Sequence, residues 1–198
     1  MGAASKLFAS KGFEATTTRE IAAEASCAEG LIHRYFTGKQ GLLLAILRHR
    51  ASRQAIELVE SAWPTPTVEE ELLQLVEWEV ERAWEDREFL KIVLRQAMVN
   101  TALAEVINKT VLIERSKGIT ERLKRFKDCR DLPKAELEAL ANFVITTGFM
   151  FGFMRPVVLR QDRDQTAKMA CTIARMLGRS LSSSSFTLDT FASLPSLT

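Results

Sequence analysis

Residues 17–42, TTREIAAEASCAEGLIHRYFTGKQGL, carry the pattern that decides the fold. Thr17-Thr18-Arg19-Glu20 has capping-box spacing: a hydroxyl can accept from the amide three residues on, while the glutamate returns to the cap amide. It predicts a helix over 18–25. A second short helix is predicted over 29–36, and Thr37-Gly38-Lys39-Gln40 repeats the box at the start of a long helix over 39–61. The two short helices are joined around Ser26-Cys27-Ala28, which is helix-turn-helix spacing. Ile32 and Phe36 are four apart and share one helix face. With Leu7, Phe8, Phe13, Ile21, Ala22 and Ala25 they can form a small three-helix core. That leaves Glu29, Gly30, His33, Arg34 and Tyr35 pointing elsewhere. A short helix with outward Arg, His and Tyr, and a Gly permitting close approach, suits the DNA major groove.

The rest of the chain reads the same way. Helix formers dominate and strand-like alternation is missing, so the expected fold is all-α with about nine helices. A first helix over 3–11 is stopped by Gly12. A third capping box, Thr67-Val68-Glu69-Glu70, follows a stiff Trp63-Pro64-Thr65-Pro66 linker and starts a helix over 68–84. Further helices are expected over 88–100 and 103–126. Pro133 suits the first turn of the next, which runs to 159, and a last helix covers 164–181. The domain reading is a DNA-binding head over 1–48, a helical ligand-binding and dimerisation body over 49–183, and a flexible tail over 184–198.

Charge is uneven along the chain. Residues 1–50 hold seven Lys/Arg against four Asp/Glu, residues 57–88 two against eleven, and residues 89–134 eleven against five. The acidic stretch should avoid phosphate, and the basic N-terminal end can face it. Three scattered cysteines, without Cys/His ligand spacing, argue against a zinc site and for a reducing cytoplasm. Cys27 is expected to be a small buried filler. Residues 1–14 lack the apolar segment of a signal peptide. The longest uncharged stretch, 139–154, is shorter than a membrane span needs. A cytoplasmic protein with no membrane partner, no metal and no cofactor is expected. No nucleophile–base set, phosphate loop or carboxylate pair suggests an enzyme.

The stretch 3–47, AASKLFASKGFEATTTREIAAEASCAEGLIHRYFTGKQGLLLAIL, resembles the DNA-binding domain of the TetR family. Ala4, Leu7, Phe8, Gly12, Phe13, Thr16, Thr17, Ile21, Ala22, Ala25, Gly30, Tyr35, Phe36, Lys39 and Leu42 match the family pattern at its spacing. The departures cluster at the turn. The family's Ala-Gly-Val-Ser is Ala25-Ser26-Cys27-Ala28 here. Ser26 is strained if the turn needs positive φ, and Ala28 removes the expected cap of the second helix. His33 stands where the family commonly has a DNA-contacting Tyr, and Ile32 where it has Leu. The resemblance implies DNA contact by Thr17, Thr18 and Arg19, then by Glu29, Gly30, Leu31, His33, Arg34 and Tyr35. It implies a phosphate contact by Lys39. Arg34 is the best candidate for reading guanine. The resemblance further implies a ligand-responsive repressor that binds a palindromic double-stranded operator as a homodimer and is released by a small, hydrophobic effector. A different class stays open: a helical ligand-binding or interaction protein whose head no longer reads DNA. Salt-dependent DNA binding separates the two.

For the body, the 137–159 helix is apolar nearly all round, so it needs cover on most sides. A second subunit is the natural cover. Gly148, Gly152 and Phe153, with Met169, Ile173, Met176 and Leu177 of the last helix, are the expected dimer face. An effector pocket is expected between this helix and the middle ones. Trp78, Trp84, Phe89, Met98, Phe143, Phe149 and Met150 are its candidate walls, and Arg95, Gln96 and Asn100 its polar anchors.

Overall fold

The computed structural model describes residues 1–60 and 64–182. The expected tail and Trp63 of the expected Trp63–Pro66 linker lie outside them. Among the described residues the fold is all-helical. Helices α1 (Gly2–Lys11), α2 (Thr18–Glu24) and α3 (Glu29–Phe36) form the head, and α4 (Lys39–Glu60) leads out of it. The body comprises α5 (Val68–Glu85), α6 (Arg87–Ala97), α7 (Thr101–Val106), α8 (Ile113–Leu123), α9 (Lys127–Arg130), α10 (Lys134–Phe149) and α11 (Arg163–Ser182). The helix expected over 103–126 is divided: a wider π turn, Ile107–Leu112, joins α7 to α8. Another π segment, Met150–Val158, extends α10 through Pro156. The i→i+5 pattern of a π segment tolerates a residue without an N–H better than a regular α turn does.

One of the three capping boxes forms in full, and a second forms only the bond to its Thr hydroxyl. Thr17 Oγ1 accepts from the Glu20 amide, and Glu20 Oε2 accepts from the Thr17 amide at 2.9 Å. Thr67 accepts from the Glu70 amide at 3.2 Å. The third does not form. Thr37 is the left-handed residue ending α3 (φ 56), and its hydroxyl donates to the Phe36 carbonyl. Only two residues separate α3 from α4, so Thr37 closes the first helix instead of opening the second.

Two apolar clusters organise the molecule. The head cluster contains Phe8, Phe13, Ile21, Ala22 and Ile32, as expected, with Ala4 and with Leu42, Leu43, Ile46 and Leu47 of α4, while Ala25, expected there, is exposed at the end of α2. It continues into Phe89, Val93 and Leu103, so α6 and α7 complete the head core from the body side. Gln96 Nε2 reinforces this contact by donating to Glu14 at 2.8 Å. The body cluster is centred on α5: Val68, Leu72, Leu75 and Val76 meet Ile119, Leu123, Val144 and Ala174. Arg122, 3% exposed, bridges three elements there. It donates to Glu71 and Gln74 of α5 and, at 3.0 Å, to the Leu58 carbonyl of α4.

The apolar α10 is covered differently from the sequence expectation. By length and composition Lys134–Val158 could cross a membrane. Here it packs against α5 and α8 and, through its π segment, α11. Gly148 and Gly152 face α5 of the same chain: a Cβ added to them would lie 2.3 Å from Glu79 Cβ and from the Val80 carbonyl oxygen, respectively. The close approach they permit is therefore intramolecular. Phe153 is also buried within the protomer, at 2% exposure. These three residues are not a surface on which a second subunit can sit. Met169 and Met176 are exposed, while Ile173 and Leu177 pack partly on the body core.

Candidate functional site

The head presents α3 with its back buried and its front open. Ile32 is buried and Phe36 half-buried in the head core. Gly30, Leu31, His33, Arg34 and Tyr35 are exposed, Tyr35 by 68%. The Arg34 guanidinium lies 5.8 Å from the Tyr35 ring centroid. From α2, Thr17 and Arg19 are exposed beside the helix start. These residues form one module, as the sequence predicts.

Two candidate contacts are engaged inside the fold. Glu29 Oε1 accepts from the Thr18 hydroxyl, tying the start of α3 to the start of α2. That bond neutralises no charge, but it holds Glu29 in a structural role. Lys39 Nζ donates to the Phe13 and Glu14 carbonyls at 2.7 and 3.2 Å and lies 4.5 Å over the Phe13 ring. It fastens α4 to the α1–α2 turn, with at most one donor remaining for a phosphate. Lys6 and Lys11 pair with Glu24 and Glu20 at 2.6 and 2.7 Å. The Lys11 ammonium, then the Thr17 amide and hydroxyl, hold Glu20 down to about 2. Among the described residues Arg19, Arg34 and Arg48 are exposed and form no ion pair, so the head's unspent positive charge is theirs.

The turn between α2 and α3 bears the marks of its unusual sequence. Ser26 has φ 51, a left-handed conformation that glycine adopts at little cost. Ala28 is the N-cap of α3 and supplies no side-chain bond. Cys27 is exposed instead of buried: its amide bonds back to the Ala22 carbonyl, and the turn lies on the surface. Sequence reasoning missed Gly41. A Cβ there would fall 1.6 Å from the Phe36 carbonyl oxygen, so only glycine lets α4 start so close to the end of α3. It named Thr16 only as a family match and gave it no role; the residue is buried, and its hydroxyl donates to the Gly12 carbonyl at 2.7 Å and braces the end of α1.

The body contains a cavity of about 360 Å³ between α4, α5, α6, α8 and α10. Of the predicted walls, Phe89 and Phe149 line it. Trp84 is held outside between Arg87 and Arg163, with their guanidinium carbons 4.4 and 4.9 Å from its ring. Trp78 packs on the body core beside Arg82 and Arg115. Phe143 packs on the same core, while Met150 and Arg95 are exposed and Met98 is 84% exposed. Gln96 serves the head contact, and Asn100 caps α7 by accepting from the Leu103 amide at 3.1 Å. None of these eight reaches the cavity. Its walls include Leu47, Leu90, Val93, Ile107, Val111 and Ile145, with a polar end that sequence reasoning did not foresee.

That polar end is a chain of bonds. Asp86 accepts from Arg50 and, at 2.6 Å, from Gln54, both on α4. Gln54 in turn accepts from Arg115 of α8, which donates to Glu79 Oε2 at 3.2 Å. Glu79 is 2% exposed, and burial pushes its carboxyl up to about 7 against the opposing pull of Arg115. Its other oxygen, Oε1, and Arg82 Nε are buried without a hydrogen-bond partner among the described residues.

Comparison with known proteins agrees with this anatomy. Residues 1–46 match the family model for bacterial regulatory proteins of the tetR family. The chain is 46% identical over 57 residues to the HTH-type transcriptional regulator YvkB of Bacillus subtilis, covering 28% of this chain and 30% of that protein. It is 31% identical over 110 residues to the Bacillus subtilis HTH-type transcriptional regulator YttP, covering 54% of this chain and 53% of that protein. The chain thus matches about a third and about half of the lengths of these curated relatives. Among solved structures, Bacillus subtilis FadR in complex with stearoyl-CoA superposes with a TM-score of 0.69 at 17% identity, over 89% of this chain and 95% of that one. In its first 46 residues the chain thus matches the model of the tetR family of bacterial regulatory proteins, and the fold of its described residues is similar to that of FadR.

Proposed function

We propose that the protein is a transcriptional regulator that binds a palindromic double-stranded DNA operator as a homodimer and releases it when a small amphipathic effector enters the body cavity. The observation that carries the reading is α3: its apolar back is fixed in the head core, while Leu31, His33, Arg34 and Tyr35 stand in solvent. Arg34 reads a base edge, Arg19 and Arg48 meet phosphates, and Lys39 acts first as a brace. Dimerisation uses the apolar surface left open at the end of α10 and along α11. Val158, Leu159, Met169 and Met176 are 51, 59, 40 and 66% exposed, unusual values for such side chains in neighbouring elements. A two-fold pair then offers two copies of α3 to successive major grooves, roughly 34–36 Å apart.

Two features support the sensor role. The cavity falls in the size range of small-molecule sites, roughly 300–1,000 Å³, with an apolar body and a few polar groups at one end. FadR, of the same fold, is described in complex with stearoyl-CoA, an acyl ligand with an anionic head. Helix α4 links the regions, with its first turn in the head and Arg50 and Gln54 at the cavity. An effector that favours a different α4 position shifts the dimer away from the half-site spacing.

The test is a titration of operator-containing and scrambled duplexes at several salt concentrations, with and without candidate effectors. The reading expects tighter binding to operator, a steep salt dependence, and loss of operator binding with effector. Equal affinity for both duplexes would leave the competing reading, a helical ligand-binding protein with a silent head.

A further inference from the structure

We propose that the polar end of the cavity binds the carboxylate or acyl oxygen of an organic acid, with Arg82 Nε and a protonated Glu79 as its donors, so that binding takes up a proton. This inference rests on the cavity's being the effector site. Three observations carry it. Glu79 is nine-tenths buried and lines the cavity, yet only one of its oxygens has a partner. Arg82, one turn along α5, also lines the cavity and buries an unpartnered Nε donor. The Arg82 guanidinium is held by Glu57 and Glu85, 3.4 and 3.0 Å from its Nη1, so Nε is a fixed donor on a residue that lines the cavity. A buried donor and a buried carboxyl without partners are costly unless a ligand satisfies them. Donors at Nε and at a protonated Glu79 select a carboxylate or acyl oxygen, which accepts, over an ammonium, which only donates.

The proton follows from the neighbours of Glu79. Arg115 faces it from α8. Gln54 and Arg50 approach from α4, both tied to Asp86 at the α5–α6 corner. From α10 come only Ile145, Thr146, Gly148 and Phe149, none charged. Among the described residues Arg115 is the one cation bonded to Glu79, and it is shared with Gln54. An incoming carboxylate beside an ionised Glu79 would repel it. Beside a protonated Glu79 it accepts a hydrogen bond, and the proton comes from solvent. Burial already places this carboxyl near 7, so the coupling operates close to neutral pH.

The experiment uses the full chain without DNA, so it stands apart from the success or failure of operator binding. Decanoate, decanol and decylamine share a tail and differ in the head. Isothermal titration calorimetry in buffers of different ionisation heat reads affinity and proton uptake together. Decanoate should bind about tenfold more tightly at pH 6 than at pH 8, because the protonated fraction of a group titrating near 7 falls by that factor. It should take up about one proton at pH 8 and few at pH 6. Decanoate itself stays ionised throughout, since an ordinary carboxyl titrates near about 4. Glu79→Gln keeps a donor without titrating, so it should bind decanoate equally at both pH values, with no uptake. Arg82→Gln should weaken decanoate and leave decanol unchanged. Circular dichroism confirms that each variant is folded. Tighter binding of decylamine, a flat pH profile in the wild type, a wild-type profile in Glu79→Gln, or no binding by any of the three overturns the proposal.

Discussion

The first turn of α4 and its middle sit in opposite surroundings. Its first turn joins a head in which the chemistry-bearing side chains stand in solvent on a short helix, and the buried interior is almost wholly apolar. Its middle crosses a body in which charges are buried: Arg122 with Glu71 at 4 and 5% side-chain exposure, and Arg115 with Glu79 at 17 and 3%. A reading surface needs charges that remain available to a partner, so its interior is kept simple. A sensing cavity needs polar groups already stripped of water, so that a ligand is the best available partner.

The contrast breaks most severely at Arg122. Arg122→Ala leaves Glu71 buried without its cation and removes the tie to the Leu58 carbonyl. The expected loss is about 3–5 kcal/mol, read by urea unfolding. No exposed cation of the head should approach that figure. Gly152→Ala attacks the body by another route. Its methyl meets the Val80 carbonyl and Ala83 Cβ, and overpacking of this kind costs about 1–3 kcal/mol. If Gly152→Ala left stability intact but dissociated a dimer, the glycine would belong to a subunit interface after all.

Arg34→Ala should do the reverse of both. It should leave the unfolding midpoint unchanged while reducing operator affinity by about 1–3 kcal/mol and relaxing specificity at one position per half-site. Competition titrations against single-base variants check this.

The body should also respond to pH where the head does not. The Glu79 carboxyl is raised above its unfolded value, so the unfolded state binds fewer protons between about 4.5 and about 7. Stability therefore falls as pH rises through that window and levels off above it. Glu79→Gln should flatten this component of the profile. Glu20 has the opposite sign. Its lowered carboxyl contributes stability above its ordinary range, lost only as pH falls toward about 2.

The smallest effects lie in the turn between α2 and α3. Ser26→Gly relieves a left-handed φ, and Ala28→Ser restores a cap bond to α3. Each should stabilise by about 1 kcal/mol. Thermal unfolding measures the gain. A tighter DNA complex in the double variant would show that the turn also limits how well α3 is presented.

The head was legible because its signals are local. Thr17 and Glu20 are three residues apart, and Ile32 and Phe36 four, so helical geometry alone brings each pair together. The same rule failed at Thr37, where two helix ends compete for one residue. It failed again at Cys27, because apolar character does not say which side of a turn faces out. The body was legible as helices but not as a site. Trp84, Met98 and Met150 have the character of pocket walls, yet lie outside the cavity. Its polar end joins Arg50, Gln54, Glu79, Asp86 and Arg115, residues up to 65 positions apart. Gly148 and Gly152 show the same limit: the sequence announced a close helix contact but not with which helix. Local spacing thus determined the all-helical fold and the outward face of α3, through interactions within one or two turns. Which buried charges meet, and which partner α10 presses against, was decided only by tertiary packing, because those contacts depend on how whole helices cross.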